Sequence, residues 1–203
     1  VEELKRDILF VVKLCLTFQN PFLTIRRKQI LAELVCIYTE MNIFFLHKDP
    51  RIAAQYHCDK HVVKMILESA QLLYCAHWMT DPSNIPHDAY KVTHKNHPCS
   101  LWVRESYENY MWLAALAWWL CKEYQHRYGS QKTHKTQSHI EWLLSNPPAL
   151  DHAGITTFRQ AMPEEYKRPE SLDAYRTYYI HAKARMLAYT NRDFPDFLLT
   201  KTN

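Results

Sequence analysis

His57, His61, Lys64 and Glu68 follow one another at intervals of four, three and four residues. On one continuous helix that spacing stacks two imidazoles, an ammonium and a carboxylate along a single stripe. Cys58, Val62, Met65, Ile66, Leu72 and Leu73 fall on the neighbouring faces and read as core. Solvated stripes are built mostly from Lys, Glu, Gln and Arg, so two histidines one turn apart point to a site. The plainer reading is a wet face on which Lys64 and Glu68 form an i,i+4 ion pair worth about 0.3 kcal/mol.

Four chemistries fit the side chains available. A divalent metal would use His57 and His61, with His94 and His97 or Asp59 completing the shell. No glutamate follows His57, so the zincin pattern is absent. Nucleophilic chemistry would pair Cys58 or Cys99 with a nearby histidine and Asn96, at a generic spacing. Acid–base and amine chemistry would combine Glu68 with Lys60, Lys64 and His61 on a helix facing His94, Asn96 and His97. A carboxylate beside amines can activate water or stabilise the cation that develops at a sugar's anomeric carbon during N-glycosidic cleavage. Finally, Tyr175, Arg176, Tyr178, Tyr179, Lys183 and Arg185 interleave rings and cations, the pattern of stacking on bases and pairing with phosphates. His94, Lys95 and Arg104 join this set of nucleic-acid contacts. The rival reading packs the tyrosines into the core and leaves the cations wet.

These residues need helices to position them. Only 2 glycines occur in 203 residues, Gly129 and Gly154, which leaves few tight hairpins and favours an all-α fold. A chain of this length with 47% hydrophobic residues buries one good core, so a single compact helical domain with long loops is expected. The formal net charge of +4, before counting 12 histidines, permits a polyanionic partner without requiring one. The 6 cysteines lie far apart with no CxxC pair, so reduced thiols in a cytoplasmic protein, host cytoplasm if phage-encoded, are the simplest account. No apolar run reaches membrane-spanning length.

All 12 histidines lie after residue 40, and Met41 opens a stretch that reads like a start. Residues 1–40 are therefore expected to be an appended helical extension, dispensable for the core, with the main domain over residues 41–203. Residues 41–46 read as a short strand or extended lead-in. Asp49 and Pro50 mark an N-cap and first helical position, and periodicity carries a helix from about 50 to 78. A long histidine-bearing loop precedes Pro98. From there a helix is expected to run to Tyr128 and stop at Gly129, with its tryptophans and tyrosines mostly core. Helices over 133–144 and 171–190 complete the prediction.

Asp59, Lys60, His61, Lys64, Glu68, Gln71 and Leu72, followed by Asn96, His97, Pro98, Trp102 and Tyr107, resemble the pyrimidine-dimer DNA glycosylases (endonuclease V-like) over about residues 41–128. The run from Tyr175 to Ala184 is similar to the aromatic and basic C-terminal stretch of the phage enzyme of that family. The chain also resembles phage-encoded proteins that share the HCDKHVVKM and THxNHP signatures. The family resemblance implies a small all-helical DNA-repair enzyme acting on double-stranded DNA. It would need no cofactor and would use a free amine to attack the sugar C1′, assisted by a glutamate that by position is Glu68. The phage enzyme uses its own N-terminal α-amine, whereas here 40 residues precede Met41. The amine role thus passes to Lys60 or Lys64, or is absent. The expected function is base excision at a damaged or modified base with an abasic-site lyase step. The alternatives are a metal-dependent hydrolase or oxygenase using the histidines, and a non-enzymatic phage nucleic-acid-binding protein. The sequence leaves the oligomeric state open.

Overall fold

The computed structural model describes residues 41–199, and the extension expected over residues 1–40 lies outside the described residues. Among the described residues the chain is all-α, as expected: α1 Pro50–Tyr56, α2 Asp59–Thr80, α3 Pro98–Val103, α4 Tyr107–Tyr128, α5 Gln137–Ser145, α6 Ser171–Ala182 and α7 Asp196–Leu199. Short 3-10 turns at Pro82–Asn84, Glu164–Tyr166 and Ala184–Met186 punctuate the loops. No helix among these residues is long and apolar enough to cross a membrane.

The helix expected from 50 to 78 is two helices. Asp49 caps the first as expected, its Oδ1 accepting from the amides of Arg51 at 2.7 Å and Ile52 at 3.3 Å. His57 then turns extended (φ −69°, ψ 135°). The amides freed by the break find distant acceptors: Cys58 N donates to the Tyr179 hydroxyl at 2.8 Å and Asp59 N to the Ala188 carbonyl at 2.8 Å. Tertiary partners thus replace the helical ladder at that point. The helix expected from Pro98 to Tyr128 breaks likewise, because Ser106 caps a new start by accepting from Asn109 N at 3.1 Å. Asn109 Nδ2 donates back to the Trp102 carbonyl at 2.8 Å, closing the corner. Gly129 ends α4 at φ +121°, a left-handed conformation that suits glycine. The last long helix stops at Ala182 rather than 190.

α2 and α4 form the central pair, with α1 packed on α4, and α3 and α5 packed on both. Residues 41–46 form no strand, and all six are buried. Phe44 stacks on His61 of α2 at 4.3 Å and meets Tyr179 of α6 edge-on at 5.6 Å. Phe45 turns the other way, stacking on Phe158 at 3.6 Å and meeting Trp112 of α4 at 5.5 Å. The extended lead-in therefore threads the core and joins the central pair to the C-terminal third.

A second tie runs through Arg127, which is 3% exposed at the end of α4. Its guanidinium donates to Glu123 Oε1 at 2.8 Å, Asp59 Oδ1 at 2.9 Å and the Gln55 carbonyl at 3.0 Å. Arg192 grips both oxygens of Glu123 at 2.8 and 2.9 Å, and Thr190 donates to Asp59 through its amide and hydroxyl. This network pins the segment after α6 to the junction of α1 and α2. Against the opposing effect of burial, the Thr190 amide and hydroxyl and then Arg127 hold the Asp59 carboxyl below its ordinary range, and Arg192 and Arg127 do the same for Glu123.

Candidate active site

Glu68 faces inward from the third turn of α2 and is 7% exposed. One carboxylate oxygen, Oε2, accepts from the backbone amide of Asn42 at 3.2 Å. The other, Oε1, lies 3.0 Å from the Lys64 ammonium one turn earlier, and the Lys64 side chain is 46% exposed. A shielded carboxylate thus meets solvent through an amine, which differs from a surface ion pair whose members are both wet.

Asn42 is a site residue that sequence reasoning missed. Its Oδ1 accepts from the amides of Ile43 at 2.8 Å and Phe44 at 3.2 Å, while Nδ2 donates to the Ala161 carbonyl at 2.8 Å. This side-chain turn supports Phe44 at φ +53°, a left-handed conformation unfavourable for a bulky residue. The strain persists because the Phe44 ring is held among His61, Tyr178 and Tyr179. The available signal was a lone asparagine before the apolar residues 43–46.

His61 is 1% exposed, and its Nδ1 lies 2.8 Å from the Tyr179 hydroxyl. That hydroxyl also accepts from Cys58 N, and its own proton is available to a neutral His61 Nδ1. Burial, followed by the charges of His57, Lys183 and Lys64, holds its pKa well below 6.5. His61 is therefore a packing and positioning group rather than a cationic one. His57 falls off the predicted stripe because it sits in the break between α1 and α2. It is fully buried, bonds the Ala53 carbonyl through Nδ1 at 2.7 Å, and has its pKa lowered to about 4 by desolvation. The two rings stand 6.3 Å apart, and no group of three or more His, Cys, Asp or Glu that could hold a metal ion occurs among the described residues. Asp59, the other candidate ligand, is engaged by Arg127 and Thr190. Cys58 and Cys99 are buried free thiols.

Lys60 is exposed, as are His94, Lys95 and Asn96. His97 is partly buried and caps α3, its Nδ1 accepting from Cys99 N at 3.2 Å, and burial lowers its pKa to about 4. His97 thus has a structural duty that its catalytic assignment overlooked. Arg104 holds this loop in place, donating to the Lys95 carbonyl at 2.9 Å and to Ser100 Oγ at 3.3 Å. These bonds tie Arg104 to the 94–97 loop.

The C-terminal aromatic set is placed differently from the expectation. Tyr175, Tyr178 and Tyr179 are 1%, 5% and 0% exposed, so their rings are committed to the core and none offers a free face to a base. The periodicity of the tyrosines carried this signal, since the core reading fits the same spacing. Tyr175 donates to the Arg159 carbonyl at 2.7 Å, and Arg176 donates through Nε to the Leu46 carbonyl at 3.0 Å. Lys183 is 6% exposed, with its ammonium 4.9 Å from the Tyr178 ring centroid and 5.8 Å from that of Phe44. Arg185 alone of this group lies fully on the surface.

The frame is all-α among the described residues, and α2 sets a buried glutamate beside a solvent-facing lysine. Residues 41–137, just under half of the chain, match the model of the pyrimidine dimer DNA glycosylase family. No curated protein and no solved structure matches the chain. That match supports a DNA-glycosylase function in general terms, with DNA as the substrate class.

Proposed function

We propose that the protein excises a damaged or modified base from double-stranded DNA, with Glu68 as the acid–base carboxylate and Lys64 as the amine of an abasic-site lyase step. The observation that carries this reading is the contact of a 7% exposed carboxylate with both the Asn42 amide and an exposed ammonium 3.0 Å away. The target nucleotide must leave the stack before its sugar can reach such a site. Glu68 accepts a proton from the Lys64 ammonium, and the neutral amine attacks C1′ as the bond from C1′ to the base breaks. The base leaves with a proton, and opening of the sugar ring converts the adduct to an imine. In a purely hydrolytic variant of the reaction Glu68 instead takes the proton of an attacking water. Lys60, one turn before Lys64 and exposed, is the second candidate amine.

The test is a panel of damaged and abasic duplexes, assayed for base release and for borohydride trapping, with and without chelator. Base release that survives chelator, with trapping lost in Lys64→Met, supports the assignment. Trapping retained in that variant moves the amine elsewhere, and chelator-sensitive release would favour metal-dependent chemistry. Tight binding without release or trapping on any duplex would favour a non-enzymatic binding protein.

A further inference from the structure

Close to the Glu68 site, a surface groove of about 650 Å³ is lined by Pro98, Phe158, Arg159, Gln160, Lys167 and Arg168, among others. Its lining carries three cations and no carboxylate. The two walls are braced together: Gln160 Nε2 donates to the Arg168 carbonyl at 2.6 Å, and Gln160 Oε1 accepts from Arg168 N at 3.1 Å. The floor is fixed from α6, where Ser171 Oγ donates to the Phe158 carbonyl at 2.7 Å and Tyr175 to that of Arg159. The groove is thus preformed, which lowers the ordering cost of binding.

Its charges are unequally compensated. Arg159 is bound to Glu105 and Lys167 to Glu164. Arg168 is different: its Nη1 donates to the carbonyls of Glu165 at 2.9 Å and Lys167 at 2.7 Å, which are neutral acceptors, and the side chain is exposed. A guanidinium held in place by carbonyls keeps its full charge and further N–H donors, the form suited to phosphate. The groove is also connected to the carboxylate. Gln160 adjoins Ala161, whose carbonyl accepts from Asn42 Nδ2, and the Asn42 amide binds Glu68. Pro98, which lines the groove, directly follows the 94–97 loop in the chain.

We propose that this groove binds the phosphodiester backbone of the DNA strand flanking the excised nucleotide, with Arg168, Lys167 and Arg159 as phosphate ligands. The assignment rests on the base-excision reading for its ligand, but it is tested separately. In the full-length protein, Lys167→Gln with Arg168→Gln leaves the Gln160 brace intact, because that brace uses backbone atoms of residue 168. Affinity for undamaged and lesion-bearing duplexes, measured by fluorescence anisotropy over a range of KCl, should fall to the same extent for both. The slope of log K against log salt should shrink by roughly 1 to 2, about 0.9 for each phosphate that is no longer neutralised. Thermal melting of the variant should match the parent.

An unchanged affinity and salt slope overturns the groove assignment, even if Glu68→Gln abolishes base release and so upholds the enzyme reading. Conversely, a reduced slope in a protein that releases no base from any duplex upholds the groove and removes the glycosylase. Weakened binding to lesion DNA alone would also overturn the proposal, because backbone contacts do not distinguish bases.

Discussion

Glu68 is the residue on which the chemistry turns, and Glu68→Gln separates catalysis from packing. The amide keeps the size of the carboxylate and can still accept from Asn42 through its oxygen, while it loses the charge facing Lys64. Base release should fall by roughly 10² to 10⁴, as for a lost acid–base group, with a melting temperature within a few degrees of the parent. Full activity with slightly lower stability would reduce the pair to a structural contact. Tyr179→Phe makes the complementary case. Its hydroxyl serves Cys58 N and His61 Nδ1 at 2.8 Å each, so removal leaves two buried polar atoms unpaired and should cost about 1–3 kcal/mol in urea unfolding. A neutral effect would show that the α1–α2 break does not depend on this contact.

At the scale of elements, the sequence carried much of the outline and missed the joints. Asp49 with Pro50 and Gly129 marked helix ends through local chemistry that needs no tertiary partner, and both ends stand where they were read. The breaks at residues 57–58 and 104–106 were not legible, because each is stabilised by groups far along the chain, Tyr179 and Ala188 in one case and Gly154 in the other. The same blindness misplaced His57 on the polar stripe and left the tyrosines of α6 equally divided between core and stacking surface. Lys64 and Glu68 were legible because their meeting depends on one helical turn alone. The Arg127 network, also hidden from sequence, gives the prediction proper to this scale. Glu123→Gln leaves two guanidiniums short of a charge, one of them buried, and should cost about 3 kcal/mol, the low end for a broken buried pair because Asp59 still faces Arg127. The expected drop in melting temperature is roughly 6–12 °C. A change under about 2 °C would mean that the C-terminal segment is held by other contacts.

For the whole molecule, the buried imidazoles set the response to acid. His57, His77 and His97 have folded pKa values near 4 through burial, and that of His61 lies well below 6.5. The unfolded chain binds protons at these positions near pH 6.5, before the folded protein does, so unfolding takes up protons and acid favours it. Stability is thus complete above about pH 6.5 and falls as pH drops toward 4, by at most about 1.4 kcal/mol per pH unit for each of these four groups. Asp59 and Glu123, with depressed pKa values, extend the loss to lower pH. Urea midpoints at pH 7.5, 5.5 and 4.5 should decline in that order. A flat profile would show that the imidazoles become charged within the native state.

The bond between Cys58 N and the Tyr179 hydroxyl spans 121 residues, so the family-matched segment ends before the group that completes its helix junction has been made. At ordinary ribosomal speeds of about 5–20 residues per second, roughly 6 to 24 seconds separate synthesis of the two partners. During that interval the nascent α2 has no phenolic acceptor at its N-terminus, and Phe44 lacks the tyrosine wall that holds its strained backbone. The α1–α2 junction and the wall behind Phe44 are therefore late products of translation, and a ribosome stalled before α6 would carry the family-matched segment without the groups that complete them.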